Sequence, residues 1–162
     1  MRLAIVSDTH LPKGRRELPG RCVELLRSSD LIVHAGDLST VALLRELRGL
    51  GPPVAGVHGN IDSAEVRALL PGELTIEVGG LELGVVHDAG PRRGRLTRMR
   101  RRFPGAAAVV FGHSHMPLHE TENDFHIFNP GSPTERRRSP AHTMGLARVS
   151  NGRISFELVT LD

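Results

Sequence analysis

The sequence is poor in the residues that mark disulfide-stabilised and aromatic-rich proteins. Its 162 residues include one cysteine and five phenylalanines but no tryptophan or tyrosine. With Cys22 alone the chain cannot form an internal disulfide, which excludes a secreted scaffold stabilised by disulfides. Any metal site must therefore use oxygen and nitrogen ligands, and we expect Cys22 to pack in the core.

Long apolar runs are also missing. A membrane helix needs about 20 apolar residues, and the longest run here lies near Ala106–Phe111. The opening residues, MRLAIVSD, enter a strand-like pattern directly, without the apolar region and cleavage site of a signal peptide. We therefore expect a cytoplasmic protein without membrane contacts, folded as one domain over residues 1–162.

Lysine is almost absent, and arginine supplies nearly all of the positive charge. Lys13 is the only lysine among 21 Lys and Arg residues, and the net charge is +3. Arginines concentrate at 92–102 and at 136–138. Such runs are typical of a solvated helix face, and also of a surface that attracts phosphate. We take Arg92 and Arg93 as candidate substrate-binding residues and disfavour nucleic acid as the partner.

Alternating apolar segments predict an α/β fold. Helical patterns at Pro19–Arg27 and Thr40–Arg48 separate the first three apolar runs, which indicates βαβ units and a partly parallel sheet. The runs that we predict to be buried strands are Leu3–Val6, Leu31–Val33, Val54–Val57, Leu81–Val86 and Ala107–Phe111.

The second half of the chain predicts antiparallel pairing. Leu74–Val78 precedes a Gly-Gly turn, and Asn151-Gly152 is a strong hairpin signal between two further strands. A basic helix is predicted over Arg92–Phe103. The further predicted strands are Phe125–Phe128, Met144–Val149 and Ile154–Leu161. Together these elements predict a four-layer α-β-β-α sandwich of two mixed sheets flanked by helices.

Acidic, amide and imidazole side chains follow five of the predicted strands. In open α/β sheets, ligands bind in the crevice at the carboxyl ends of the strands, so we expect these side chains to share one rim. The residues are Asp8 and His10, Asp37, Asn60, His87, and the pair His113 and His115. A single D-x-H or H-x-H pattern is weak, but the ordered series at five strand ends predicts a metal centre.

Each of these groups has the chemistry of a metal ligand. The carboxylate of Asp37 can bridge two cations, Asn60 offers a neutral carbonyl oxygen, and the histidines offer imidazole nitrogens. Neighbouring glycines let the backbone approach the ions closely. A ligand set without thiolate favours manganese, iron or zinc over a closed structural zinc site.

The series Asp-Thr-His, Gly-Asp, Gly-Asn, His and Gly-His-Ser-His resembles the calcineurin-like metallophosphoesterase family, specifically its short bacterial and archaeal phosphodiesterase branch. The resemblance runs from Asp8 to the segment Asn129–Ser132. It implies two divalent ions, with manganese favoured over iron, zinc or nickel. It implies that Asp8, His10 and His115 hold one ion, that Asn60, His87 and His113 hold the second, and that Asp37 bridges. It also implies that His34 supports the site from behind and that Asn129–Ser132 closes beside it.

The resemblance implies hydrolysis of phosphodiesters by a metal-bridging hydroxide, with Asn60 also serving catalysis. Monoesterases and protein phosphatases of the family carry a proton-donating His directly after this Asn. Here that residue is Ile61, which favours diesters with good or metal-assisted leaving groups. His58 and Asp62 are the candidates to replace the donor, or else they support the strand end.

Three alternatives remain open. A non-catalytic interaction scaffold also resembles this branch, although loss of metal ligands would be expected there. A nuclease and a phosphomonoesterase are the enzymatic alternatives. The expected partner is a small phosphodiester or nucleotide, and a homo-oligomer is compatible with the sequence.

Overall fold

The computed structural model describes residues 1–162 and contains two five-stranded mixed sheets. In the first sheet the strand order is β10-β9-β1-β2-β3, with β1, β2 and β3 parallel and β9 and β10 antiparallel to their neighbours. Its strands are β1 (Arg2–Val6), β2 (Leu31–His34), β3 (Val54–Gly56), β9 (Thr143–Ser150) and β10 (Arg153–Thr160). The predicted parallel opening and the predicted Asn151-Gly152 hairpin are both confirmed.

The second sheet has the order β4-β5-β6-β8-β7. Strands β5, β6 and β8 are parallel, while β4 and β7 pair antiparallel at the two edges. Its strands are β4 (Glu73–Val78), β5 (Leu81–Val86), β6 (Ala108–Val110), β7 (Leu118–Glu122) and β8 (Phe125–Asn129). Each sheet therefore contains three neighbouring parallel strands, whose carboxyl ends lie along one edge.

Three apolar cores hold the layers together, and they confirm the α-β-β-α sandwich. One core lies between the sheets, where residues such as Ile5 and Val33 meet Val85 and Phe128. A second core packs helices α1 (Gly20–Arg27), α2 (Val41–Arg48) and α3 (Ala64–Leu69) on the outer face of the first sheet. In the third core, Met99 of helix α4 (Arg95–Arg102) and Phe103, which directly follows the helix, pack on the second sheet.

Cys22 is buried in the core beneath α1, as expected for a packed thiol. Burial raises the pKa of this thiol to about 12, so it stays protonated and unreactive at neutral pH. None of the helices is long and apolar enough to cross a membrane.

Two elements and the start of the basic helix differ most from the sequence prediction, since the other boundaries agree to within one residue. Strand β7 and the short helix α3 were not anticipated. The basic helix begins at Arg95 rather than Arg92, because Gly94 has a left-handed φ of 69° and starts the helix after a turn. Arg92 and Arg93 consequently lie in a loop before the helix.

Candidate metal centre

The seven predicted ligands come together where the carboxyl ends of both sheets meet. The first group contains Asp8 and His10 after β1, and His115 after β6. Their ligand atoms lie within 4.8 Å of one another, and all three residues are buried. The Nε2 atom of His115 is 3.4 Å from Oδ1 of Asp8, and Nε2 of His10 is 3.6 Å from Oδ2 of Asp37.

The second group forms around the amide oxygen of Asn60. This Oδ1 atom lies 3.0 Å from Nε2 of His87 and 3.0 Å from Nδ1 of His113. Nε2 of His87 is also 3.2 Å from Oδ2 of Asp37. The same carboxylate oxygen of Asp37 thus faces both groups.

Two buried nitrogens in the centre lack a hydrogen-bond partner. Nε2 of His10 and Nε2 of His115 are both inaccessible to solvent and unpaired within the protein. A buried polar atom without a partner costs about 1–3 kcal/mol, so such atoms require an explanation. A divalent cation placed between these imidazole nitrogens and the two carboxylates would give each nitrogen a partner. The residues present therefore fit such an ion.

The electrostatics of the centre also favour a positive charge. Burial by itself raises the pKa of Asp37, but hydrogen bonds from His87 and from the Ile61 N–H outweigh burial and hold this pKa below its usual value. Burial lowers the pKa of His87, yet the nearby carboxylates of Asp37 and Asp8 outweigh it and raise this pKa. The opposite shifts arise because Asp37 and His87 stabilise each other's charged form, and the same carboxylates would stabilise a cation placed between the groups.

Five of the seven residues have a left-handed backbone that non-glycine residues rarely adopt. The φ angles are 54° at Asp8, 47° at His10, 58° at Asp37, 70° at His113 and 58° at His115. Such conformations cost on the order of 1–3 kcal/mol each, and they concentrate at functional sites. The loops after the strands therefore adopt strained backbone conformations, which direct the candidate ligands into the centre.

Two glycines allow the loops to approach each other. A Cβ atom on Gly59 would lie 2.0 Å from Oδ1 of Asp37, and one on Gly112 would lie 2.7 Å from Oδ2 of Asp8. No side chain fits at such distances. Both positions require glycine, because Asp37 fills the space at Gly59, and the Ser7 hydroxyl at 1.8 Å together with Asp8 fills it at Gly112.

His34 lies behind the centre and is completely buried. The Gly36 N–H donates to its Nδ1 at 3.1 Å, so Nε2 carries the proton and donates to Oγ1 of Thr9 at 3.0 Å. Burial lowers the pKa of His34 to about 4, which keeps the ring neutral. The ring joins the loop after β1 to the loop after β2.

The segment Asn129–Ser132 braces the loops that carry the candidate ligands. The Asn129 side chain donates to the carbonyl oxygen of Gly112 at 2.9 Å, and the Ser132 hydroxyl donates to that of Asp8 at 2.8 Å. Both ligand groups thus depend on this segment for their backbone geometry.

Glu135 is a further residue of the centre that the sequence did not reveal. Its Oε2 atom lies 3.6 Å from Nδ1 of His10, and its carbonyl oxygen accepts a hydrogen bond from Nδ1 of His115. Lys13 and Arg16 lie 3.3 Å from its carboxylate oxygens. Burial raises its pKa, but Lys13, His10 and Arg16 outweigh that and hold the pKa below the usual value, so the group stays charged.

The structure places the two candidate proton donors differently. Asp62 is buried and accepts three backbone hydrogen bonds, from the N–H groups of Asp37, Ser39 and Gly59, at 3.0, 2.6 and 2.6 Å. His58 is half-buried and its Nδ1 lies 3.3 Å from the Gly59 carbonyl oxygen. Asp62 therefore holds the loops, whereas His58 lines an open depression beside the second ligand group.

The arginines divide into structural and surface residues. The Arg95 and Arg98 guanidinium groups donate to the carbonyl oxygens of residues 89–91, which fixes the loop after His87. Arg92 and Arg93 are exposed on that loop and do not line the depression. Their role in substrate binding stays a prediction. Arg67 and Arg102 do line the depression. Arg102 belongs to the arginine run 92–102, which is typical of a surface that attracts phosphate, whereas Arg67 lies outside both arginine runs and was not anticipated.

Comparison with known proteins agrees with this geometry. The calcineurin-like phosphoesterase superfamily domain matches residues 1–152. A probable metallophosphoesterase of Methanothermobacter thermautotrophicus is 32% identical over 161 residues, covering 98% of this chain and 92% of the relative. A phosphodiesterase of Methanocaldococcus jannaschii is 21% identical over 146 residues, covering 81% of this chain and 83% of the relative.

Among solved structures, Vps29 of Entamoeba histolytica in complex with zinc superposes with a TM-score of 0.78 at 20% identity. The match covers 100% of both chains and shows that they share a fold. The domain match over residues 1–152 and the 32% identity to the archaeal metallophosphoesterase show the family as well as the fold. The chain is a member of the calcineurin-like phosphoesterase superfamily, a family of metal-dependent phosphoester hydrolases.

Proposed function

We propose that the protein is a phosphodiesterase that uses two divalent cations. The observation that carries the proposal is the Asp37 carboxylate, whose Oδ2 atom lies 3.6 Å from Nε2 of His10 and 3.2 Å from Nε2 of His87. One oxygen therefore faces two separate groups of candidate ligands.

In this proposal Asp8, His10 and His115 hold the first ion, and Asn60, His87 and His113 hold the second. Asp37 contributes to both, and manganese is the proposed metal, with iron, zinc and nickel as the alternatives. When bound, such a pair of ions neutralises the charge on the reacting phosphoryl group and activates water at neutral pH. The two carboxylates and the neutral imidazoles leave the loaded centre positive, so an anionic ester is attracted to it.

The residues around Asn60 favour a diester over a monoester. Ile61 stands directly after Asn60, is 44% exposed and has no proton to donate to a leaving group. The carboxylate of Asp62 is occupied by three backbone N–H groups, which leaves it a positioning role. The name of the Methanocaldococcus relative, a phosphodiesterase, supports the same choice.

The test is hydrolysis of bis(p-nitrophenyl) phosphate and p-nitrophenyl phosphate by protein stripped with a chelator and reloaded with Mn²⁺, Fe²⁺, Zn²⁺ or Ni²⁺. We expect activity only after metal is added, and a higher kcat/KM for the diester. Asp37→Ala should lower kcat by about 10³-fold, because charge stabilisation by the ions is worth several kcal/mol. Glu24→Ala, at an exposed position of α1, is the matched control and should be unaffected.

Full activity of the stripped protein, or of Asp37→Ala, would contradict the proposal. Metal binding without turnover of either ester would favour the interaction scaffold instead. A higher kcat/KM for the monoester would favour a phosphomonoesterase and would direct attention to His58.

A further inference from the structure

An open depression of about 270 Å³ adjoins the second ligand group. Asn60, His87 and His113 form one side of it, so a phosphate held at these residues would extend its ester group into this space. The inference below therefore rests on the proposed phosphodiesterase function.

The lining of the depression is almost entirely polar. Val86 is its only apolar residue, and no Phe side chain reaches it. Nucleobases are held mainly by stacking on aromatic rings, each of which contributes about 1–3 kcal/mol. Apart from the candidate ligands His87 and His113, the only ring in the lining is the half-buried imidazole of His58, so the depression offers a base little surface for stacking.

Positive charge is the main feature of the lining. Arg67 and Arg102 both face the depression, and Asp88 is the single carboxylate among its residues. Arg67 is already engaged, since its Nε donates to the Asp62 carbonyl oxygen at 3.0 Å and its Nη2 to that of Asn60 at 2.7 Å. It therefore fixes the loop of Asn60 rather than reaching for a ligand.

Arg102 is the lining cation whose terminal nitrogens are free. Its Nε donates to Oε2 of Glu73 at 2.6 Å, and Glu73 itself lies outside the lining. Both partners are about half exposed, so their ion pair is weak and readily exchanged. The two Nη groups of Arg102 donate to no protein atom, and a guanidinium presents them as a fork that fits a phosphate.

We propose that Arg102 is a specificity-determining residue, which selects diesters whose alcohol carries a second phosphate. The alcohol itself would be polar and non-aromatic, in keeping with the lining. The scissile phosphate would lie at the second ligand group and the second phosphate at the Arg102 fork.

The test is direct binding to the Mn²⁺-loaded protein, measured by isothermal titration calorimetry. The ligands are propyl phosphate and the bisphosphates of ethanediol, propanediol and butanediol, which resemble products with one or two phosphates. Either end of a bisphosphate can occupy the metal centre, which gives a twofold statistical gain. We expect the best bisphosphate to bind about 10-fold tighter than propyl phosphate, as for one charge-assisted contact that is partly exposed to water.

Arg102→Gln should reduce this preference to about twofold while leaving the affinity for propyl phosphate unchanged. Arg101→Gln is the matched control, because Arg101 is exposed on the same helix and does not line the depression. It loses the same charge and should keep the 10-fold preference. A twofold preference in the wild type, or equal preferences in the two variants, would overturn the proposal.

Hydrolysis of bis(p-nitrophenyl) phosphate, which has no second phosphate, is measured in parallel. Absence of a bisphosphate preference in the wild type, with intact hydrolysis, refutes only the role of Arg102. Absence of hydrolysis refutes the phosphodiesterase function, whatever the calorimetry gives.

Discussion

At the residue scale, three of the four histidines of the centre are oriented by partners on their outer Nδ1 atoms. Nδ1 of His87 lies 2.8 Å from the Ala35 carbonyl oxygen, and Nδ1 of His115 donates to that of Glu135. Nδ1 of His10 faces the Glu135 carboxylate at 3.6 Å. In each case a proton on Nδ1 leaves the Nε2 lone pair pointing into the centre, which is the form a metal requires.

This arrangement predicts a specific role for the Glu135 side chain in metal affinity. Glu135→Gln removes the negative charge beside His10 but keeps the carbonyl oxygen that orients His115. We expect the Mn²⁺ concentration for half-maximal activity to rise about 10-fold or more, as is typical for groups that support metal ligands. At saturating Mn²⁺, kcat should stay within about twofold, since Glu135 supports a ligand and does not bind the substrate.

Activity against Mn²⁺ concentration is the measurement, with Glu24→Gln as the control for loss of one carboxylate. An unchanged Mn²⁺ requirement in Glu135→Gln would show that the carboxylate serves only its ion pairs with Lys13 and Arg16.

The sequence predicted the seven candidate ligands because each follows a strand and has metal-binding chemistry of its own. Glu135 has the same chemistry but lies in the long segment between β8 and β9, where no strand end marks it. It reaches the centre because Ser132 accepts hydrogen bonds from its N–H at 2.8 Å and holds the turn. Arg67 was missed, and Arg102 was not distinguished from the other arginines of the run 92–102, because helix pattern alone does not reveal which depression a long side chain lines.

At the scale of elements, Asp62 joins two loops of the first sheet. The Asp37 and Ser39 N–H groups belong to the loop after β2, and that of Gly59 to the loop after β3. One buried carboxylate therefore sets the distance between the strand ends that carry Asp37 and Asn60.

Removing this carboxylate should destabilise the protein. Asp62→Ala leaves three backbone donors of a buried region without an acceptor, and each costs about 1–3 kcal/mol if it stays unpaired. Water can reach some of them, so we expect a loss of about 3 kcal/mol in the free energy of unfolding, measured with urea on the metal-free protein.

Asp30→Ala is the control, since Asp30 accepts a single bond from the Arg2 N–H at an exposed position. It should lose less than about 1 kcal/mol. A comparable loss in both variants would contradict the joining role of Asp62. Intact stability with weakened metal binding would instead assign Asp62 to the centre alone.

Elements with strong hydrophobic patterns were predictable, and weak ones were not. Strand β7 lies at a sheet edge and has no fully buried residue, so its alternation is faint. Its hairpin with β8 turns at Asn123 and Asp124, whose φ angles of 49° and 61° suit a type I′ turn. The Asn-Asp pair was the feature of the sequence from which this hairpin could have been predicted. Helix α3 is a single short segment, whose Ser63 cap accepts from the Val66 N–H.

At the scale of the whole molecule, the candidate centre is where the two sheets meet. Asp8, Asp37 and Asn60 follow strands of the first sheet, whereas His87, His113 and His115 follow strands of the second. The first group itself combines both sheets, because His115 lies 3.4 Å from Asp8. Unfolding separates these residues, so a metal ion bound among them stabilises the folded chain alone.

Metal binding should therefore raise the thermal stability of the whole chain. At 100 times the dissociation constant, one site adds about 2.7 kcal/mol, and for a chain of this length each kcal/mol shifts Tm by about 2–4 °C. We expect Mn²⁺ to raise Tm by about 5–10 °C over the chelator-treated protein, in calorimetry or fluorescence-monitored melting.

His115→Ala removes the ligand that the second sheet contributes to the first group and should lose most of the shift. His142 is half-buried, pairs with Asp162 at 2.6 Å and is not a candidate ligand, so His142→Ala should keep the shift. Equal shifts in both variants would mean that the first ligand group does not bind Mn²⁺ and that the stabilisation comes from the second group or from elsewhere on the chain.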